Sequence, residues 1–232
     1  MDSPAEQISP PPPPAPLTPE EIRVLGCLVE KSYTTPDVYP MTVNGLVSAC
    51  NQRSSRFPVV QYDEDTVRRA LDTLRDKGWS TLVHTAGARV QKYRHEVRHE
   101  FNFADKDVAV ICVLMLRGPQ TFGELRGRTE RIAKFEHAAA VEATLRELMS
   151  DYPRPLVAEL SRGPGQKDSR FMHLFGEERP EDIEVAAPTP SRSPAPPRRP
   201  DAVDELTTRV EHLESTVADL QSQLDAFRKQ FE

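Results

Sequence analysis

The stretch His95–His99 reads His-Glu-Val-Arg-His and matches the zinc-protease pattern, in which two histidines hold the metal and the glutamate acts as base. That chemistry needs a helix, whereas this stretch directly follows a predicted strand that ends at Tyr93. Arg98 would also put a cation beside Zn²⁺, and the neighbouring sequence offers no apparent third ligand. We therefore interpret the stretch as a charged linker and predict no metal site.

No other group of residues has the spacing of a catalytic site. The glycine pair Gly163 and Gly165 falls in a predicted hairpin tip rather than between a strand and a helix, and no nucleophile elbow is present. His173 lies in an apolar strand and is expected to be a core histidine. We predict neither an enzyme nor a cofactor. Three cysteines in helical apolar patterns are expected to be buried, reduced thiols: Cys27, Cys50 and Cys112.

Basic and hydrogen-bonding side chains indicate a different chemistry, the binding of phosphates. The turn Asn51–Pro58 carries two arginines and several side chains that can donate to phosphate oxygens. An ordinary polar loop, whose side chains tie down the neighbouring backbone, explains the same residues equally well. The candidate DNA contacts in the whole chain are Asn51, Gln52, Arg53, Arg56, Arg68, Arg69, Arg89, Lys92, Arg126, Arg128, Arg131, Arg162, Lys167 and Arg170.

The distribution of acidic residues partly opposes this interpretation. The chain has a formal net charge of −6, which does not by itself indicate a nucleic-acid partner. On the predicted third helix, Asp65, Asp72 and Asp76 share the exposed face with Arg69 and would repel phosphate. The cations instead cluster in and around the second helix of the later half, where Lys134 accompanies the arginines already named.

The elements that position these side chains are predicted by periodicity and by helix caps. Asp63 caps a helix whose apolar face is Val67, Ala70, Leu71 and Leu74, and Gly78 ends it. Two strands follow, at residues 82–83 and 90–93, around a tip at 86–89. Earlier helices are predicted from Thr18, with a capping box, and over residues 43–51. This order is typical of a winged helix-turn-helix.

A second pass through the same plan follows directly. Helices are predicted over residues 105–116, 121–131 and 137–149, and strands over residues 156–160 and 171–175. Two copies of helix, helix, helix and hairpin predict an internal structural repeat.

The ends of the chain differ in composition from this body. Residues 1–17 and 179–202 are rich in proline and are expected to be a tail and a linker. Residues 203–232 carry a heptad pattern that favours a parallel two-stranded coiled coil, and hence a homodimer. The predicted dimer contacts are Val203, Leu206, Val210, Leu213, Val217, Leu220, Leu224 and Phe227.

We therefore predict an α+β, mostly helical chain with two tandem winged helix-turn-helix domains at 18–97 and 98–178. The longest apolar run, Val108–Leu116, is less than half of the roughly 20 residues that cross a bilayer. No secretory signal begins the sequence, because Asp2 and Glu6 stand where a basic region and an apolar run belong. A cytoplasmic protein without a membrane partner is expected.

The chain resembles the YceH-like family of bacterial proteins. The similar stretches include Leu17–Glu20, Ala49–Gln52, Leu116–Thr121, Gly123–Arg126 and Ser169–Phe175. The resemblance implies paired winged helices with a regulatory or binding role and no settled biochemical activity. The chain departs from the family pattern at Arg53, where lysine is commoner, and in its long proline segments.

Two functions remain open from the sequence. One is a dimeric DNA-binding regulator of transcription, in which the wings and the Asn51–Pro58 turn contact phosphates of duplex DNA. The other is an adaptor whose winged helices bind protein rather than DNA. The basic wings favour the first, and the acidic third helices favour the second.

Overall fold

The computed structural model describes residues 15–83, 90–98, 103–150, 154–162, 168–177 and 180. These residues form an α+β fold in which three helices and an antiparallel hairpin occur twice in succession. A short 3₁₀ helix, Pro36–Val38, follows the first α-helix. The elements are α1 (Pro19–Thr34), α2 (Val43–Cys50), α3 (Glu64–Asp76), β1 (Ser80–Val83), β2 (Lys92–His95), α4 (Asp105–Arg117), α5 (Phe122–Arg128), α6 (Ala138–Ser150), β3 (Val157–Leu160) and β4 (Arg170–His173).

Several predictions fall outside the described residues. These are residues 1–14 of the proline-rich tail, the linker apart from Pro180, the coiled coil, and the tips of both hairpins, with Arg89 and Lys167 among them. Among the described residues, no helix combines the length and apolarity needed to span a membrane.

The predicted start of α1 is confirmed. The Thr18 hydroxyl accepts a hydrogen bond from the Glu21 backbone N–H at 3.3 Å, and the Glu21 carboxylate accepts from the Thr18 N–H at 2.7 Å. Pro19 stands at the first helical position, where its missing N–H has no intrahelical partner to lose. The capping box therefore fixes where the fold begins.

The third helix of the first half is also as predicted. The Asp63 carboxylate accepts from the Thr66 N–H at 2.8 Å, and the four predicted apolar side chains of α3 are buried. Gly78 follows with φ +78°, a left-handed conformation that stops the helix without strain on a side chain. Gly118 has φ +68° after α4.

The strands lie slightly apart from their predicted positions. β1 begins two residues earlier than expected, because the Trp79 carbonyl already accepts from the Glu96 N–H at 2.9 Å. β2 correspondingly extends to His95, which pairs with Ser80. In the second half, α5 ends at Arg128 rather than at 131, since the chain turns there and the Ile132 N–H bonds the Thr129 carbonyl at 2.8 Å.

Each hairpin gains a third strand-like partner that periodicity could not reveal. Met41, between α1 and α2, exchanges two backbone hydrogen bonds with Tyr93 at 3.0 and 2.8 Å. Gln120, between α4 and α5, exchanges two with Phe171 at 3.0 and 2.8 Å. The same pairing at the same place in both halves strengthens the repeat.

The two halves share buried side chains. α1 packs closely against α4, since a Cβ added at Gly26 would lie 2.9 Å from Leu116 Cδ2. The Leu17 N–H donates to the Phe175 carbonyl at 2.7 Å, and the Trp79 and Phe175 rings meet edge to face at 5.5 Å. The predicted domain boundary near residue 97 stays a prediction. In space, one continuous apolar core joins the residues on either side of it.

All three cysteines lie within that core. Cys27, Cys50 and Cys112 are buried and free, which confirms the predicted buried thiols. Burial raises the pKa of the Cys112 thiol well above its ordinary value.

Candidate nucleic-acid interface

The Asn51–Pro58 turn is held together by its own side chains. The Asn51 amide donates to the Tyr62 carbonyl at 2.8 Å, and its oxygen accepts from the Tyr62 N–H at 2.7 Å. This pair closes the loop as a β-bridge would, so the Asn51 side chain is committed to the backbone. Gln52 is partly exposed, and Arg53 is exposed.

Arg56 is buried rather than presented to solvent. Its guanidinium donates to both Glu30 oxygens at 2.6 and 3.0 Å, and its Nε–H donates to the Ala49 carbonyl at 3.1 Å. Burial raises the pKa of Glu30, but the hydrogen bonds and charge of Arg56 outweigh burial and leave that pKa below its ordinary value. For Asn51 and Arg56 the geometry favours the polar-loop interpretation over a phosphate clamp.

The exposed face of α3 mixes both signs of charge. Arg68 pairs with Glu64, and Arg69 donates to the Thr66 hydroxyl at 3.2 Å. Three aspartates share the surface of this helix. They are Asp65, Asp72 and Asp76, all exposed. A phosphate approaching this face would meet carboxylates as well as arginines.

The hairpin cations differ in availability. Lys92 on β2 is partly exposed. On the second hairpin, Arg162 donates to the Ser169 hydroxyl at 2.9 Å, whereas Arg170 donates to Glu124 at 3.1 Å and to the Pro119 carbonyl at 3.0 Å. Arg170 therefore fastens β4 to the start of α5.

The turn between α5 and α6 presents exposed cations. Ile132 and Phe135 fold inward, and Phe135 is only 2% exposed. This anchoring turns Arg131 and Lys134 outward, and Arg126 on α5 is exposed as well. We call Arg126, Arg131 and Lys134 the α5–α6 cluster.

The α5–α6 cluster takes no part in the ion pairs found among the described residues. Arg126 donates to the Glu136 carbonyl at 3.2 Å, which leaves its charge uncompensated. Arg128 differs, because it is half-buried and pairs with Glu124 at 3.2 Å and with the Gln120 side chain.

α6 itself begins with small side chains. The His137 Nδ1 accepts from the Ala140 N–H at 3.1 Å at the start of the helix. Ala138 and Ala139 are exposed, so the first turn of α6 carries no acidic side chain. Farther along, Arg146 pairs with Glu142 at 2.9 Å. The start of α6 and the α5–α6 cluster thus form a surface with three exposed cations, beside which Glu130 and Glu136 of the same turn are also exposed.

Within the His95–His99 stretch, Val97 and Arg98 have helical backbone, but His95 lies on a strand rather than on the helix that a zinc site of that pattern requires. His95 ends β2, and His99 lies outside the described residues. Ser32 donates its only proton to the Val29 carbonyl, so the His95 Nε2–H donates to Ser32 Oγ at 3.1 Å. Burial lowers the pKa of His95 to about 4. His95 is therefore a packed strand residue, and the charged-linker interpretation was wrong for it.

The described part of the chain also contains no group of three or more histidine, cysteine or acidic side chains able to hold a metal.

Comparison with known proteins places the chain in a family. Residues 17–166 match the profile of a family described as "Protein of unknown function, DUF480". The chain belongs to this family. It is 45% identical over 216 residues to a UPF0502 protein of Azoarcus sp. (strain BH72), covering 93% of this chain and 94% of the relative. It is 51% identical over 172 residues to a UPF0502 protein of Citrifermentans bemidjiense, covering 74% and 79%. The expected membership of an uncharacterised bacterial family is confirmed at this level.

Sequence reasoning missed one buried cation of this DUF480 chain. Arg23 interrupts the apolar first helix between Ile22 and Val24, and it is only 3% exposed. The sequence did contain a signal for it, namely a charged residue among the apolar residues of a helix. A buried arginine needs a partner, so such a residue indicates a specific interaction.

Proposed function

We propose that this protein is a dimeric DNA-binding regulator of transcription built on paired winged helices. Each half has three helices followed by an antiparallel hairpin. The Met41–Tyr93 and Gln120–Phe171 bridges add the short extra strand that joins the first helix–helix connection to the hairpin. The resemblance to YceH-like proteins, which implies paired winged helices, supports the same architecture.

The observation that carries the proposal is the α5–α6 cluster. Its cations are exposed, lack carboxylate partners among the described residues, and stand just before the third helix of the second half. In helix-turn-helix proteins, that helix enters the major groove while neighbouring residues fix the register on phosphates. The alanines at the start of α6 allow close approach to the duplex. The second half is thus the main DNA-contacting half, and α3 contributes less.

The test is binding of the full chain to a fluorescent duplex of about 30 base pairs across a series of salt concentrations. A complex held by phosphates weakens steeply as salt rises, with a slope of roughly −0.9 per neutralised phosphate. The variant Arg126→Gln/Arg131→Gln should lower both the affinity and the steepness of that slope, by about one unit per lost phosphate contact.

The matched control is Arg75→Gln/Arg94→Gln, which removes two exposed cations of the first half. It should leave the slope nearly unchanged. Absence of binding at low salt, or equal losses in both variants, would contradict the proposal.

The adaptor remains the alternative, because α3 presents exposed aspartates. Asp65, Asp72 and Asp76 suit a basic surface on a partner protein better than DNA. Chemical cross-linking of the full chain in cells, compared with Asp65→Asn/Asp72→Asn/Asp76→Asn, would identify such a partner. A protein cross-link lost only in this variant, together with no DNA binding, would favour the adaptor.

A further inference from the structure

A cavity of about 420 Å³ lies where the two halves meet. Its walls come from the start of α1, the loop at residues 57–62, the end of α4 and the chain around β4. This volume falls within the range of roughly 300–1,000 Å³ typical of small-molecule sites.

Arg23 forms a charged part of the cavity wall. Its guanidinium donates to the Pro58 carbonyl at 2.6 Å and to the Cys50 carbonyl at 3.4 Å. No carboxylate in the described part of the chain pairs with it. Burial lowers the pKa of Arg23, and the charge of Arg56 lowers it further. Two neutral carbonyls leave both the charge and several of the five N–H donors of the guanidinium uncompensated.

The contrast with Arg56 shows how unusual this is. Arg56 is equally enclosed, but it is matched by the two oxygens of Glu30. A buried charge without a counter-ion is costly, and proteins generally retain one only where something pairs with it. For Arg23, the space available for a counter-ion is the cavity.

The rest of the wall sets the other properties of a ligand. Ile22, Leu114 and Met172 are buried and supply apolar surface. His173 also lines the cavity, and its Nδ1 accepts from the Phe175 N–H at 3.4 Å, which leaves Nε2–H as the donor of the ring. Burial lowers the pKa of His173 to about 4, so the ring is neutral near pH 7. Glu177 lies among the lining residues but is exposed.

We propose that this cavity is a binding site for a small organic monoanion, a carboxylate with an apolar body, whose carboxylate pairs with Arg23. A single guanidinium offers the planar pair of donors that suits one carboxylate. The apolar body lies against the side chains from α1 and α4. This proposal does not depend on DNA binding, although a ligand here would contact both halves.

The experiment measures binding of linear carboxylates from butanoate to decanoate to the full chain, by calorimetry and by the rise in Tm with ligand concentration. The matched probes are the uncharged alcohols of the same lengths. At least one carboxylate should bind and raise Tm, and its alcohol should bind at least about tenfold more weakly, as expected for loss of a charged hydrogen bond. No binding across the series, or equal affinity of acid and alcohol, would overturn the proposal.

Two variants locate the site. Val60→Trp puts a large side chain at a partly exposed position in the cavity wall and should abolish carboxylate binding. Val59→Trp is its control, because Val59 is 57% exposed and is not part of that wall. Equal binding by these two variants would place the ligand elsewhere.

Arg23→Met should reduce the difference in affinity between acid and alcohol to less than about threefold. Should that variant fail to fold, the pair at positions 59 and 60 still decides where the ligand binds, and the acid–alcohol comparison still decides its charge.

Discussion

The buried pair of Glu30 and Arg56 shows how far one residue's role can differ from what its type suggests. The Arg56 side chain is fully enclosed, and the Glu30 side chain is 19% exposed. From sequence, the two arginines of the polar turn, Arg53 and Arg56, are equally good candidates for phosphate binding. Nothing near Arg56 in the sequence indicates its partner, because Glu30 lies on a helix 26 positions earlier in the chain. Such a long-range pairing leaves no local signal.

We expect Glu30→Gln to destabilise the protein by about 3–5 kcal/mol, since it leaves the Arg56 charge buried and unpaired. Urea unfolding at pH 7 measures this. Glu64→Gln is the control, because the Glu64–Arg68 pair is exposed to solvent and contributes little to stability. The pKa of Glu30 is lowered in the folded state, so the contribution of the pair is present above the unfolded pKa of roughly 4.3. It is lost as pH falls below that value, and the two proteins should then converge in stability. Similar losses in both variants would contradict this account.

The histidines of the two hairpins give a second prediction at the same scale. Burial lowers the pKa of His95 and of His173 to about 4. The unfolded chain takes up protons at these histidines below about pH 6.5, while the folded protein does not until about pH 4. Stability should therefore fall as pH drops from 6.5 to 4, by up to about 3 kcal/mol for each histidine.

Urea unfolding at pH 7.5 and pH 5 measures this dependence. His95→Gln and His173→Gln should each flatten it by removing one of the two groups. A slope that is the same in all three proteins would show that other groups control the acid sensitivity.

At the level of elements, the repeat extends to individual strand positions. Tyr93 and Phe171 each accept the bridge from the helix–helix connection, and His95 and His173 stand two residues later in their strands. Periodicity and caps sufficed to predict the helices and their buried faces, because those signals are local. The bridges and the strand register depend on backbone groups far apart in the chain, and no side-chain pattern records them.

The packing of α1 on α4 gives a prediction that compares two identical substitutions. At Gly26 an added Cβ would lie 2.9 Å from Leu116 Cδ2 and 3.3 Å from Met115 Cβ, and both neighbours are buried. Gly26→Ala should therefore destabilise by about 1 kcal/mol or more, because the core must shift to admit the methyl group. At Gly123 in α5 nothing lies within 4 Å, so Gly123→Ala should stabilise by about 0.5–1 kcal/mol. Thermal unfolding of both variants measures the sign. Equal effects would mean that α1 and α4 are farther apart than described.

At the scale of the whole molecule, the shared core fixes the orientation of one half of the repeat relative to the other. Two winged helices on a flexible tether would choose their relative orientation on binding, whereas halves that share Gly26, Leu116, Trp79 and Phe175 present one fixed surface. The sequence patterns predicted the two copies of the repeat. They did not show which apolar faces pack within one copy and which pack against the other copy, because both kinds of face have the same pattern. The α1–α4 contact and the cavity beside Arg23 both arise from packing between the two copies, and so the sequence predicted neither.

A rigid body gains avidity for DNA when it is paired with a second copy of the chain. The heptads near the C-terminus are predicted to form that dimer. Leu213 holds a core position of the heptads in residues 203–232, so Leu213→Asp would bury charge in the coiled coil and should convert a dimer into a monomer. Light scattering after size-exclusion chromatography measures the mass. Ser215→Asp adds the same charge at an outer heptad position and should stay dimeric. Because linked sites raise avidity by about 10²–10⁴, DNA affinity should fall steeply in the first variant alone. A monomeric Leu213→Asp protein that binds duplex DNA as tightly as the parent would show that each body binds by itself.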